Sequence, residues 1–134
     1  MFVTTNIADR EPIFQDPVAA REAVETLYRV QGLHPFFLFG FVIMPDHCHL
    51  LITVPSPGKI STVMNSFKKG VALQLQRGRI WQRGYYIVFP FKPWKVLDYI
   101  HMNPVRAGIV QHPREYHWSS ASGRWDVTSM NDVQ

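Results

Sequence analysis

Two strand-forming runs, residues 36–44 and 47–54, are separated only by Pro45 and Asp46. A two-residue connection leaves no length for a crossover, so the runs pair as an antiparallel hairpin. The second run reads Asp46-His47-Cys48-His49-Leu50-Leu51-Ile52-Thr53-Val54. Side chains on a strand alternate between its two faces. Cys48, Leu50, Ile52 and Val54 therefore form one apolar face that a core must cover. His47 and His49 lie side by side on the other face.

The remaining elements arrange themselves around this hairpin. Residues 2–7 are β-branched and aromatic and predict a first strand. Asp16-Pro17 reads as an N-cap with proline at the first helical position, opening a helix that ends near Gln31 and Gly32. Ile60, Val63, Met64, Phe67, Val71 and Leu75 recur at helical spacing over residues 60–76. Residues 78–84 form a basic loop, residues 85–89 a short fourth strand, and Pro93 opens a third helix that carries Tyr99 and meets Pro104. The order β-α-β-β-α-β-α predicts an α+β fold. Its antiparallel sheet has the ferredoxin-like, split β-α-β arrangement, with an added C-terminal helix. One domain is expected over residues 1–125, followed by a mobile tail over 126–134.

Composition narrows the setting. The single cysteine, Cys48, excludes an intrachain disulfide and makes a reducing cytoplasm the expected location. The first residues lack the pattern of a signal peptide. The longest apolar stretch, residues 35–45, is too short to span a bilayer, so no membrane partner is expected. Between Lys59 and Arg106 nine basic residues face Asp98 alone, a local charge of +8, whereas residues 1–58 carry −3 and 107–134 carry −1. Such asymmetry favours a polyanionic partner.

Two imidazoles at His-x-His spacing can hold one divalent ion. Taken alone, the pair is more commonly two half-solvated histidines on a strand. Cys48 points to the opposite face and cannot share an ion with them. Tyr99 and Asn103 are four residues apart and share a helix face; Val96, Leu97 and Ile100 pack on the other side. A phenol next to a metal could attack a phosphate, although a free phenol holds its proton to about pH 10 and needs electrostatic help. Taken alone, this helix reads equally as an amphipathic segment with an ordinary tyrosine, and Pro104 disfavours helical geometry at Asn103. Lys68 and Lys69 on the second helix, Arg77, Arg79 and Arg83 around Trp81, and Arg106 form the candidate contacts to such a polyanion. Trp81 can serve either as a base-stacking ring or as a core residue.

Taken together the segments resemble a known family. Met44-Pro45-Asp46-His47-Cys48-His49-Leu50-Leu51-Ile52 is similar to the His-hydrophobic-His segment of HUH endonucleases. Residues 99–110, Tyr-Ile-His-Met-Asn-Pro-Val-Arg-Ala-Gly-Ile-Val, resemble the tyrosine segment of the REP-associated tyrosine transposases, one-tyrosine transposases of bacterial insertion sequences. Trp81-Gln82-Arg83-Gly84-Tyr85 and Trp118-Ser119-Ser120 also resemble family motifs, and the similarity spans nearly the whole chain in the family's order. The resemblance implies Mg²⁺ or Mn²⁺ held by His47, His49 and Asn103. It implies attack by Tyr99 on single-stranded DNA, with a 5′-phosphotyrosine and a free 3′-hydroxyl as products, and a DNA hairpin within the partner strand. Relatives include monomers and dimers, so a homodimer in which Tyr99 completes the partner's site is one of two expected arrangements. Cys48 stands where the family has a larger aliphatic residue, and the chain after Trp118 is short. The competing readings are a non-catalytic nucleic-acid-binding module and a structural or sensory metal protein. The first leaves the co-occurrence of His47, His49, Tyr99 and Asn103 unexplained. The second needs a more complete ligand set.

Overall fold

The computed structural model describes residues 1–131. The strands are β1 (Phe2–Asn6), β2 (Phe37–Met44), β3 (His47–Thr53) and β4 (Tyr86–Val88), and the helices are α1 (Pro17–Leu33), α2 (Ile60–Gln74) and α3 (Pro93–Arg106). They form one four-stranded sheet in the order β2-β3-β1-β4. Every neighbouring pair is antiparallel. This is the expected α+β, split β-α-β arrangement: β3 lies between β1 and β2, which α1 connects. Met44 pairs with His47 across the predicted two-residue turn.

The sheet separates two apolar clusters. Val3, Leu38, Phe41, Ile43, Cys48, Leu50 and Ile52 face α1 and α2, where Ala23, Leu27, Met64 and Phe67 complete the main core. Val42, Met44, Leu51, Ile100 and Tyr116 form a second cluster on the opposite face. The face that the sequence left free is thus the one that α3 covers. β3 is buried on both faces from Cys48 to Ile52, and its side chains divide between the two faces by the alternation read from its sequence, because a one-residue slip would exchange the two sets.

α1 begins as expected, with the Asp16 carboxylate accepting the Val18 N–H at 2.9 Å. It runs past Gly32 to Leu33, and the His34 N–H donates to Val30 O at 2.7 Å to close it. On β2 a bulge between Leu38 and Gly40 breaks the alternation. Phe39 and Gly40 consequently both face α3. A Cβ on Gly40 would overlap Leu97 Cδ1, so the bare backbone is what lets α3 approach β2 this closely.

α3 runs through Pro104 to Arg106, with Pro104 buried inside its last turns, so Asn103 is helical although a following proline disfavours that geometry. The closure is a Schellman motif. Gly108, at φ +75°, donates to Val105 O at 2.9 Å, and the Ile109 N–H donates to Pro104 O at 3.0 Å. This pair, together with packing of Pro104, outweighs the proline's missing donor. The segment after α3 then covers the outer edge of β2. Ile43 N–H donates to Trp118 O at 2.8 Å, Tyr116 Oη donates to Ile43 O at 2.6 Å, and Val42 bridges Ser119. The segment expected to be a mobile tail makes contacts too: Tyr28 Oη donates to Asp126 O at 2.5 Å and Thr128 N–H to Leu38 O at 2.7 Å. Residues 132–134 of that tail lie outside the described residues. Among the described residues, no helix is long and apolar enough to cross a membrane.

Candidate active site

The register of the sheet builds the centre of the site. β1 sets Thr4 opposite His49 and Asn6 opposite His47, while β2 sets Val42 and Met44 against the same two histidines from the other side. Both imidazoles therefore stand on the α3 face, with ring centroids 4.7 Å apart. Each is tied through Nδ1. Thr4 Oγ1 lies 2.8 Å from His49 Nδ1, and the Asp46 carboxylate lies 2.6 Å from His47 Nδ1. The short contact to a carboxylate identifies His47 Nδ1 as a donor. The Arg10 guanidinium, 3.3 Å from the same nitrogen, therefore makes its hydrogen bond to Asp46 instead, at 3.0 Å.

With both Nδ1 atoms engaged, both Nε2 atoms are without protein partners among the described residues. This is how neighbouring groups orient histidines that bind metals. His49 is 7% exposed. Burial, followed by the charges of His47, Arg106 and Arg10, pulls its pKa down to about 3, which keeps its ring neutral and its lone pair available. Burial alone would raise the Asp46 carboxyl. Hydrogen bonds from Arg10 and His47 outweigh that and hold it below the usual carboxylate range.

α3 brings the tyrosine to this pair. The Tyr99 ring lies 6.0 Å from the His49 ring and 6.0 Å from Phe2, edge-on to both, and is 46% exposed. Seven residues on, the Arg106 guanidinium sits 4.1 Å over the Tyr99 ring and donates to the Tyr99 carbonyl at 2.5 Å. Asn103 is half-buried one turn beyond Tyr99. The position of α3 is locked by His101, whose Nε2 lies 2.8 Å from Ser120 Oγ, which in turn accepts the Phe41 N–H at 3.0 Å. Burial lowers the His101 pKa against the opposing charge of Asp98.

The residues fit a divalent ion in a particular way. Among the described residues, no group of three His, Cys, Asp or Glu side chains is placed to hold one. Two oriented imidazoles are what the sheet offers, and Asn103 is half-buried on the turn of α3 after Tyr99. Such a partial set suits an ion that keeps open positions for phosphate and water, not a closed structural zinc site. Cys48 is fully buried on the opposite face, as its position in the alternation requires.

The candidate DNA contacts do not all converge. Arg106 joins Tyr99, and Arg79 and Arg83 are exposed on the loop before β4. Lys69 is exposed on α2. Arg77 is paired with Glu11 at 3.3 Å. Lys68 donates to Gln82 O at 3.0 Å and Gly84 O at 2.7 Å, so it braces the loop. Trp81 is a correction: it is 6% exposed, wedged between Phe14 and Phe67 with Nε1 donating to Lys68 O. A ring in that position packs the core and offers no face to a base. Tyr85 packs partly into the core and Tyr86 is exposed, as alternation requires.

Sequence reading missed Thr4, Arg10, Asp46 and Ser120. Asp46 and Ser120 lie within segments already singled out. Thr4 becomes readable only once the β1–β3 register is known, and Arg10 has no local signal.

The model of a family described as "Transposase IS200 like" matches residues 2–102. That span contains His47, His49 and Tyr99, and Asn103 follows directly. No curated protein matches the chain. A solved REP-associated tyrosine transposase, bound to a REP hairpin, superposes with a TM-score of 0.79. It is 23% identical, with 99% of this chain and 86% of that chain covered. A putative transposase from Deinococcus radiodurans R1 superposes with a TM-score of 0.58 at 18% identity, covering 87% of this chain and 88% of that chain. At these identities the two structures speak for the fold, and the match over residues 2–102 speaks for the family: the chain belongs to the IS200-like transposases.

Proposed function

We propose that this protein is a metal-dependent transposase that cleaves and rejoins single-stranded DNA through a 5′-phosphotyrosine at Tyr99. The observation that carries the reading is the tyrosine ring 6.0 Å from His49, which stands beside His47 with both Nδ1 atoms tied back. A bound Mg²⁺ or Mn²⁺ would polarise the scissile phosphodiester and offset its developing charge. His47, His49 and Asn103 would hold it; imidazoles favour Mn²⁺, and cellular abundance favours Mg²⁺.

The chain's own groups do the rest. The Tyr99 oxygen attacks phosphorus, the P–O3′ bond breaks, and the leaving 3′-oxygen takes up a proton. The Arg106 guanidinium over the ring favours negative charge developing on the phenol oxygen. The ester that remains on Tyr99 conserves the bond, so a 3′-hydroxyl can reverse the step and join a new strand. Tyr99 acts in cis, beside His49 of its own chain, and a second copy is not required. The substrate is single-stranded DNA bearing a hairpin, in the cytoplasm.

The test is incubation with single-stranded hairpin DNA and Mn²⁺ or Mg²⁺, followed by denaturing electrophoresis. Wild type is expected to form a covalent adduct. Tyr99→Phe should form none, with its unfolding free energy within about 0.5 kcal/mol of wild type, because the ring is half exposed. A persisting adduct in that variant would remove Tyr99 from the reaction. Salt-sensitive, metal-independent binding with no adduct would make the chain a binding module instead.

A further inference from the structure

Beside His47, on the side away from Tyr99, residues 7–10 and the loop 79–83 enclose an open cleft. Its lining comprises Ile7, Ala8, Asp9, Arg10, Arg79, Gln82 and Arg83. Three guanidiniums face one carboxylate, Asp9. The walls are held by backbone: Ala8 N–H donates to Ile80 O at 2.8 Å, Gln82 N–H to Asn6 O at 2.9 Å, and Ile7 bridges Trp81. Ile80 and Trp81 are buried, and Lys68 braces Gln82 and Gly84 from behind. Arg79 and Arg83 therefore project from a fixed loop, and neither has an ion-pair partner among the described residues.

The third guanidinium is tied directly to the candidate active site. Arg10 bonds Asp46 through Nε at 3.0 Å and so adjoins His47. Asp9 and Arg10 are both in the left-handed region, at φ +56° and +54°. Two consecutive non-glycine residues there are strained, and such strain persists only where surrounding contacts impose it. Here those contacts are Ile7 N–H to Asp46 O and Glu11 N–H to Ala8 O, which hold the segment against the hairpin turn.

We propose that this cleft is a second anion site, which binds a backbone phosphate of the same DNA strand on the His47 side of the scissile position. The ligand chemistry is a phosphodiester. Arg79 and Arg83 contact it, and Arg10 contributes its remaining donors while positioning Asp46 and His47. Guanidiniums held close together repel one another, and a phosphate between them relieves that repulsion with hydrogen bonds of matched geometry. A strand lying across the histidines would thus be held at Tyr99 and Arg106 on one side and at the arginine cleft on the other. This inference rests on the proposed function.

Binding without cleavage separates the two. In a Tyr99→Phe background, the affinity for single-stranded DNA is measured as a function of salt for the parent, Arg79→Ala/Arg83→Ala, Arg79→Lys/Arg83→Lys, and Arg114→Ala, an exposed arginine outside the cleft. Each lost phosphate contact lowers the slope of log affinity against log salt by about 0.7. The alanine pair is expected to lower it by that amount or up to twice it, the lysine pair to retain most of it, and Arg114→Ala to leave it unchanged. Single neutral methylphosphonates next to the scissile position should weaken parent binding at one or two positions and leave the alanine pair unaffected there. An unchanged slope, or a reduced slope with the parent's methylphosphonate pattern intact, overturns the cleft. Free inorganic phosphate that competes at millimolar levels with the intact strand, with no position-dependent interference, overturns it as a site for strand phosphate. Adduct formation by the tyrosine-containing protein is scored separately. Its absence alongside the expected binding pattern sinks the cleavage reading and leaves the cleft standing.

Discussion

Replacing Asp46 with alanine tests whether the orientation of His47 is imposed by its neighbour. The carboxylate accepts from His47 Nδ1 at 2.6 Å and from Arg10 Nε at 3.0 Å. Without it, the Arg10 guanidinium, 3.3 Å from Nδ1, is free to donate to that nitrogen. The ring proton would then move to Nε2, the atom a metal needs. Losing such an orienting partner typically lowers metal affinity by about 10–100-fold, or about 1.4–2.7 kcal/mol. The cost to the fold is smaller. Arg10 and Asp46 are 54% and 29% exposed as side chains, and a pair that open to solvent contributes about 0.2–1 kcal/mol. The expected signature is therefore a large loss in Mn²⁺ affinity, read by calorimetric titration without DNA, alongside a nearly unchanged urea midpoint. Adduct formation should recover when Mn²⁺ is raised by the same factor. Mn²⁺ affinity within twofold of wild type, in a protein whose His47→Ala variant does not bind, would refute the reasoning.

Other substitutions probe the remaining supports. Thr4→Val keeps the shape of β1 but deprives His49 Nδ1 of its partner in a ring that is 7% exposed. It should cost about 1–3 kcal/mol in denaturant unfolding, and an unchanged midpoint would mean that water replaces Thr4. Trp81→Ala removes a core ring that touches Phe14 and Phe67, so a loss of about 3–5 kcal/mol is expected; a loss under about 1 kcal/mol would return Trp81 to the surface. For pH, the Asp46 carboxyl is held below its unfolded value of about 3.9. Its stabilisation is therefore fully present above that value and lost as pH falls through the folded one. The difference in unfolding free energy between wild type and Asp46→Asn should shrink as pH falls below about 4. Growth of that difference below about pH 4 would contradict the assigned hydrogen bonds.

Much of this protein is local in origin. The two-residue Pro45-Asp46 turn dictates the hairpin, and alternation along β3 dictates that Cys48 faces away from His47 and His49. Both follow from backbone geometry over a few residues, and both hold in the structure. Asp16 and Pro17 likewise mark the start of α1 without reference to anything distant. The +8 segment pointed to a polyanion but not to which of its side chains are free. Lys68, Arg77 and Trp81 turned out to be engaged by groups far away in the chain. Pro104 sets a local cost to helical geometry at Asn103, and the Schellman closure with the burial of Pro104 supplies the compensation that keeps both residues in α3. The candidate site itself is decided by tertiary structure. Thr4 reaches His49 only through the β1–β3 register, Arg10 reaches Asp46 across a separation of 36 residues, and Tyr99 meets the histidines because Gly40 and the His101–Ser120 contact set α3 on the sheet. Sequence determines which face of a strand a histidine occupies; what its Nδ1 touches depends on chains brought together by folding, and that contact is what leaves Nε2 free.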